Sequence, residues 1–115
     1  MMGILRILQI IAAGGTIATG LISLLRPRSV TGFTGLNPSG ARGVTEIRAV
    51  LGGAFIGLGL APLILGAAAA YRTLGVTYLA IAVARAASMI VDRSVEPSNV
   101  ISLAVEIVFG VILVL

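Results

Sequence analysis

The chain has no cysteine, no histidine, no tryptophan and no lysine. Each absence removes a class of chemistry. Without cysteine there is no disulfide and no thiolate nucleophile or metal ligand. Without histidine there is no imidazole to ligate zinc or haem, and no side chain whose ordinary pKa suits acid and base work near neutrality. Charge is scarce as well: 10% of the 115 residues are charged against 58% apolar, and mean hydropathy is +1.16. Too little polar material is left to cover a water-facing surface. The eight cationic residues are all arginines and, with four acidic residues, give a net charge of +4. They fall mostly at the ends of apolar runs, which suits membrane interfaces and anionic lipid headgroups and not nucleic acid.

What is present is a series of long apolar runs. A helix needs about 20 apolar residues to cross the roughly 30 Å hydrocarbon core, so the chain has room for four spans and not five. The spacing predicts an all-α integral membrane four-helix bundle, a single domain of antiparallel up-down helices over about residues 4–25, 46–70, 72–91 and 98–115. The first run is too long for the core of a signal peptide and is followed by Arg26-Pro27-Arg28 where a small-residue cleavage site would stand, so it is expected to be a retained helix. Residues 26–45, rich in Gly, Ser, Thr and Pro, are expected to form the one long loop. Tyr71 and Arg72 are expected at a tight turn between the second and third spans, Ser98 or Asn99 as a cap on the fourth, and Pro62 as a kink in the second. Small residues four apart, Gly14 with Ala18 and Gly53 with Gly57, are expected to let helices approach closely, and Thr16 with Gly20 repeats the pattern.

Orientation follows from the arginines. Arg6 and Arg72 lie on the side of the termini, whereas Arg26, Arg28, Arg42 and Arg93 lie in the two loops, with Arg48 close by. The positive-inside rule puts both loops in the cytoplasm and both termini outside.

Ionisable residues inside apolar spans usually face the bundle interior, another charge or water, and so carry the information about a site. If the third and fourth spans form a hairpin centred near Val95, Arg85 lies ten residues before the centre and Glu106 eleven after it. The two fall at one depth, and an ion pair between them is expected. Ser88 and Asp92 lie three and seven residues beyond Arg85, on its face of the helix. Arg48 and Glu46 enter from the same side of the membrane. Arg48, Arg85, Ser88, Asp92 and Glu106 are therefore expected to converge in a polar pocket opening toward the loops, as a structural cluster or as a ligand site.

The segments Thr45-Glu46-Ile47-Arg48-Ala49-Val50-Leu51-Gly52-Gly53 and Ala84-Arg85-Ala86-Ala87-Ser88-Met89-Ile90-Val91-Asp92, followed by Pro97 and Glu106, resemble the DUF4345 family of small bacterial membrane proteins. Gly35-Leu36-Asn37-Pro38 is similar to the segment after that family's first helix, and Ser94-Val95 departs from it where a glycine would be expected after Asp92. The resemblance implies a four-helix membrane architecture, in a bacterial inner (cytoplasmic) membrane, with Arg48, Arg85, Asp92 and Glu106 as characteristic polar positions. It implies no activity.

Three functions compete. The first is a structural or accessory membrane subunit, packed by its Gly/Ala-rich faces against a protein partner or its own copies. The second is a small transporter or a lipid- or solute-binding protein using the Arg/Glu/Asp pocket. The third, an enzyme acting on lipid, lacks a nucleophile, a metal set or a phosphate-cradling loop beside the carboxylates. The expectation is therefore no enzyme, no cofactor and no metal, with membrane lipids as surroundings.

Overall fold

The computed structural model describes residues 3–115. It holds four long helices: α1 (Ile4–Leu25), α2 (Gly40–Leu65), α3 (Ala68–Val91) and α4 (Pro97–Val114), each long and apolar enough to cross a membrane. Among the described residues there is no strand. Apolar side chains cover much of the outer surface as well as filling the core, which a water-soluble domain does not tolerate. Ile64 and Ile90 are 75% and 78% exposed, whereas Gln9, Thr16, Ser23 and Glu106 are buried. This is the arrangement lipid favours, with apolar side chains outward and polar groups satisfied inside.

Two helix pairs make up the molecule. In the first, a methyl group on Gly20 would lie 2.7 Å from the Gly52 carbonyl oxygen, and one on Gly59 would lie 2.7 Å from the Ala13 carbonyl oxygen. Residue numbers thus rise along α1 as they fall along α2, and the backbones touch where side chains are missing. In the second pair Gly75 and Gly110 do the same: a methyl group on Gly75 would meet the Val114 backbone nitrogen at 2.9 Å, and one on Gly110 the Leu79 side chain at 2.5 Å. Between the pairs contact is concentrated toward the end holding the α2–α3 turn. There Gln9 donates to the Ile112 carbonyl at 3.0 Å, the Thr16 and Tyr78 hydroxyls share a hydrogen bond of 2.5 Å, and Phe109 lies against Gly15 and edge-on to Tyr78.

Several helix ends differ from the sequence expectations. α2 begins at Gly40 and not at Glu46, because Gly40 takes a positive φ of 70° after Asn37-Pro38-Ser39, and the helix then runs on through Arg42 and Glu46, which form an i,i+4 ion pair. Its middle, Ile47–Ala54, is π-helical where it crosses α1, and it continues past the buried Pro62 to Leu65. The α2–α3 turn lies at Gly66, whose left-handed backbone (φ 65°) lets its N–H bond the Pro62 carbonyl at 2.9 Å. Tyr71 and Arg72 therefore sit within α3 and not at the turn. Tyr71 is buried with the Arg6 guanidinium 4.2 Å from its ring centre.

The α1–α2 connection is not a plain loop either. A 3-10 turn, Pro27–Val30, leads into one helical turn, Thr31–Thr34, which ends at Gly35 with φ 75°. In the α3–α4 turn the left-handed residue is Arg93, with φ 52°.

Candidate functional site

The two helix pairs separate toward the end that carries the α1–α2 and α3–α4 connections, and a cavity of about 620 Å³ lies there. Its walls are contributed by all four helices and by the α1–α2 connection. Ile22, Phe33, Leu36, Leu51, Phe55, Val105 and Phe109 supply the apolar part; Arg85, Glu106, Asn99, Ser102, Ser23 and Thr19 supply the polar part. All three phenylalanines of the chain are in this wall, and Tyr78 joins them. The connection contributes because its helical turns place Val30, Phe33 and Thr34 over the gap between the pairs.

The polar part centres on Arg85. Its Nε donates to both Glu106 carboxylate oxygens, at 2.8 and 3.0 Å, and its Nη2 donates to Oε2 at 2.7 Å. This fork geometry is what a guanidinium and a carboxylate achieve when both are held in place. Nη1 donates to the Asn99 Oδ1 at 2.9 Å, and Asn99 in turn donates to the Ser94 carbonyl at 2.8 Å. Asn99 thus ties the arginine to the α3–α4 turn. It does not cap α4, whose N-terminal Glu96 makes no side-chain cap bond. Glu106 lies nine residues into α4, about 14 Å along the axis at 1.5 Å per residue, near the middle of a helix long enough to cross a membrane. Its carboxylate is buried, while the Arg85 side chain is 30% exposed, on the cavity side.

The other charged residues expected in this cluster lie elsewhere. Ser88 donates to the Asp92 carboxylate at 2.6 Å, and both are exposed. The buried face of α3 passes through Tyr78, Ala82 and Met89, so Ser88 lies about 90° around the helix from it at 100° per residue. Asp92 sits just past the helix end. Arg48 donates from Nη1 to the Leu24 carbonyl at 3.0 Å, where a cation complements the last turn of α1. Glu46 pairs with Arg42 and not with Arg48. Arg48 instead joins Arg26, Arg28 and Thr45 around a second, open cleft of about 580 Å³ on the outer side of the Pro27–Val30 turn. The convergent pocket of five residues is therefore corrected to one ion pair with Asn99, an exposed Ser88–Asp92 pair and a separate arginine cleft.

The glycines are corrected as well. Gly14, Gly53 and Gly57 have nothing within 4 Å of where a methyl group would stand, and with Ala18 they are exposed on the outer surface. Thr16 and Gly20, the other expected pair, are buried on the face of α1 that packs, and close approach inside the chain uses Gly20, Gly52 and Gly59 between α1 and α2 and Gly75 and Gly110 between α3 and α4.

Sequence reasoning did not select Asn99, Ser102, Ser23, Tyr78 or the phenylalanines as site residues. The signal available was the run of buried polar and small positions at helical spacing in α1, Gln9, Thr16, Gly20 and Ser23, which marks the face turned toward the other pair.

No curated protein and no solved structure matches the chain. A family model, that of the domain of unknown function DUF4345, matches residues 4–115, and the chain belongs to that family.

Proposed function

We propose that the chain is a small membrane protein that holds an amphiphilic molecule between its two helix pairs. The observation that carries this reading is the cavity of about 620 Å³, aromatic and aliphatic on most of its wall with a polar floor at Arg85, Glu106 and Asn99. Its volume lies within the about 300–1,000 Å³ usual for ligand pockets, and the mixture of a large apolar wall with a few polar groups is their usual composition. The orientation that suits this reading puts the arginine cleft in the cytoplasm, where Arg26, Arg28 and Arg48 meet anionic headgroups, in the inner membrane of a bacterium.

Filling the cavity tests the reading. Ser102 lies on its wall in the middle of α4, and Ser102→Phe adds a ring there without altering a helix end. The full chain purified in mild detergent is expected to carry a non-covalent amphiphile detectable by native mass spectrometry. The variant is expected to lose it while keeping its helical circular dichroism. An adduct retained equally by both proteins would place the molecule outside the cavity and defeat the proposal.

A second reading, a subunit of a homo-oligomer or larger assembly, is favoured by one observation. Gly14, Ala18, Gly53 and Gly57 form small, exposed positions on the surface of the α1–α2 pair, where a further helix can approach. Native mass spectrometry of the chain extracted in mild detergent is expected to give a discrete oligomer that Gly53→Leu with Gly57→Leu abolishes. A wild-type chain that is extracted only as a monomer and captures no partner would exclude it.

A further inference from the structure

We infer that the cavity selects its occupant by charge and holds an amphiphile with an uncharged, hydrogen-bond-accepting head. This rests on the reading that the cavity holds an amphiphile at all. Among the described residues, Arg85 and Glu106 are the charged residues on the wall, and no other Asp, Glu or Arg lines it. The pair is bidentate, so the floor is electrically neutral as built.

The Arg85 charge is already matched inside the chain by the Glu106 carboxylate. An anionic head brought to Arg85 would stand beside Glu106 in a low-dielectric site with no further cation to compensate it. A cationic head would face the guanidinium. What remains is an uncharged acceptor. A guanidinium has five N–H groups; Nε uses its one, and Nη1 and Nη2 each use one on Asn99 and Glu106. One N–H on each terminal nitrogen is left to serve an ester, carbonyl, ether or hydroxyl oxygen. Phe33, Phe55, Phe109 and Tyr78 then surround the apolar part of the molecule.

The test uses two molecules that share the glycerol and the acyl chain and differ by one charged phosphate group, 1-monooleoylglycerol and its 3-phosphate, with the full chain in detergent. Isotope-labelled monooleoylglycerol is bound first, and native mass spectrometry follows its displacement. For the wild-type protein, unlabelled monooleoylglycerol is expected to displace the label at least about tenfold more effectively than the phosphate, a difference of about 1.4 kcal/mol. Phosphate that merely adds at the arginine cleft leaves the label in place, so the two sites are told apart. Glu106→Gln uncovers the Arg85 charge and is expected to reverse the order.

Should that variant fail to fold, Arg85→Gln with Glu106→Gln restores a neutral floor and is expected to keep the wild-type order. Displacement of the label by the phosphate as readily as by the neutral compound, in the wild type or in the double variant, would overturn the inference. So would an unchanged order in a folded Glu106→Gln protein. A wild-type protein that takes up no monooleoylglycerol but carries a Ser102-sensitive adduct from its membrane would overturn the neutral-head assignment alone. The absence of both would remove the cavity reading with it.

Discussion

Glu106→Leu is expected to destabilise the folded chain by about 3 kcal/mol, whereas the same change made together with Arg85→Met is expected to lie within about 1 kcal/mol of the wild type. The asymmetry follows from where the cost arises. Glu106 is buried and its two oxygens receive three donations from Arg85. Removing the carboxylate alone leaves a guanidinium facing an apolar wall with only Asn99 as acceptor. Removing both charges leaves two apolar side chains of similar length, and the cost of holding ions away from water disappears with them. Reversible unfolding in mixed micelles, followed by circular dichroism, measures the cycle. Two single substitutions whose effects simply add would show that the pair is not coupled and that the floor of the cavity is not built as described.

Gly20→Ala and Gly59→Ala are each expected to destabilise the chain by about 2 kcal/mol, while Gly53→Ala and Gly57→Ala leave it unchanged or slightly more stable. At Gly20 the new methyl group would stand 2.7 Å from the Gly52 carbonyl oxygen and 2.8 Å from the Ile56 backbone nitrogen, so a whole helix must move to admit it. At Gly59 the obstacle is the Ala13 carbonyl oxygen, also at 2.7 Å. Gly53 and Gly57 meet nothing within 4 Å, and there alanine's greater helix propensity is the only term left. The same unfolding measurement separates the two sets. Equal effects at all four positions would contradict the register of α1 on α2. The variants also discriminate between packing within the chain and packing between chains, because only the outer glycines bear on the oligomer reading.

These two experiments fall on either side of what the sequence makes legible. The bounds of α1 are readable because its apolar run is closed by Arg26 and Pro27, a charge and a residue with no N–H to continue a helix. The pairing of Arg85 with Glu106 is readable from arithmetic alone: two helices joined by a short turn place residues equidistant from it at one depth. The packing glycines are readable only in part: Thr16 with Gly20 marks the packed face of α1, but Gly14 with Ala18 and Gly53 with Gly57 follow the same spacing and do not pack inside the chain. A pair of glycines four apart states that a helix has a thin side, but α1 and α2 each have several, and only their crossing decides which is used. Gly52 and Gly59, seven apart, are used; Gly53 and Gly57 face outward.

The fate of Arg48 and Asp92 was hidden for a different reason. Nearness to one membrane face does not bring residues together when the helices carrying them diverge, and α2 and α3 diverge from the Gly66 turn toward that face. Arg48 finds the end of α1, and Asp92 finds Ser88 one turn back on its own helix. The cavity exists because of the same divergence, and the helical turns of Pro27–Thr34, a segment whose Gly, Ser, Thr and Pro content reads only as loop, supply part of its wall.

The most direct test of the central claim, that an amphiphile lies between the helix pairs, is photolabelling of the full chain in lipid nanodiscs with a single-chain lipid carrying a diazirine in its tail, mapped by peptide mass spectrometry. The account predicts saturable labelling at Phe33, Phe55, Ser102 and Phe109, lost in Ser102→Phe. Labelling confined to outward-facing residues such as Ile64, Val83 and Ile90, rising without saturation as lipid is added, would contradict it.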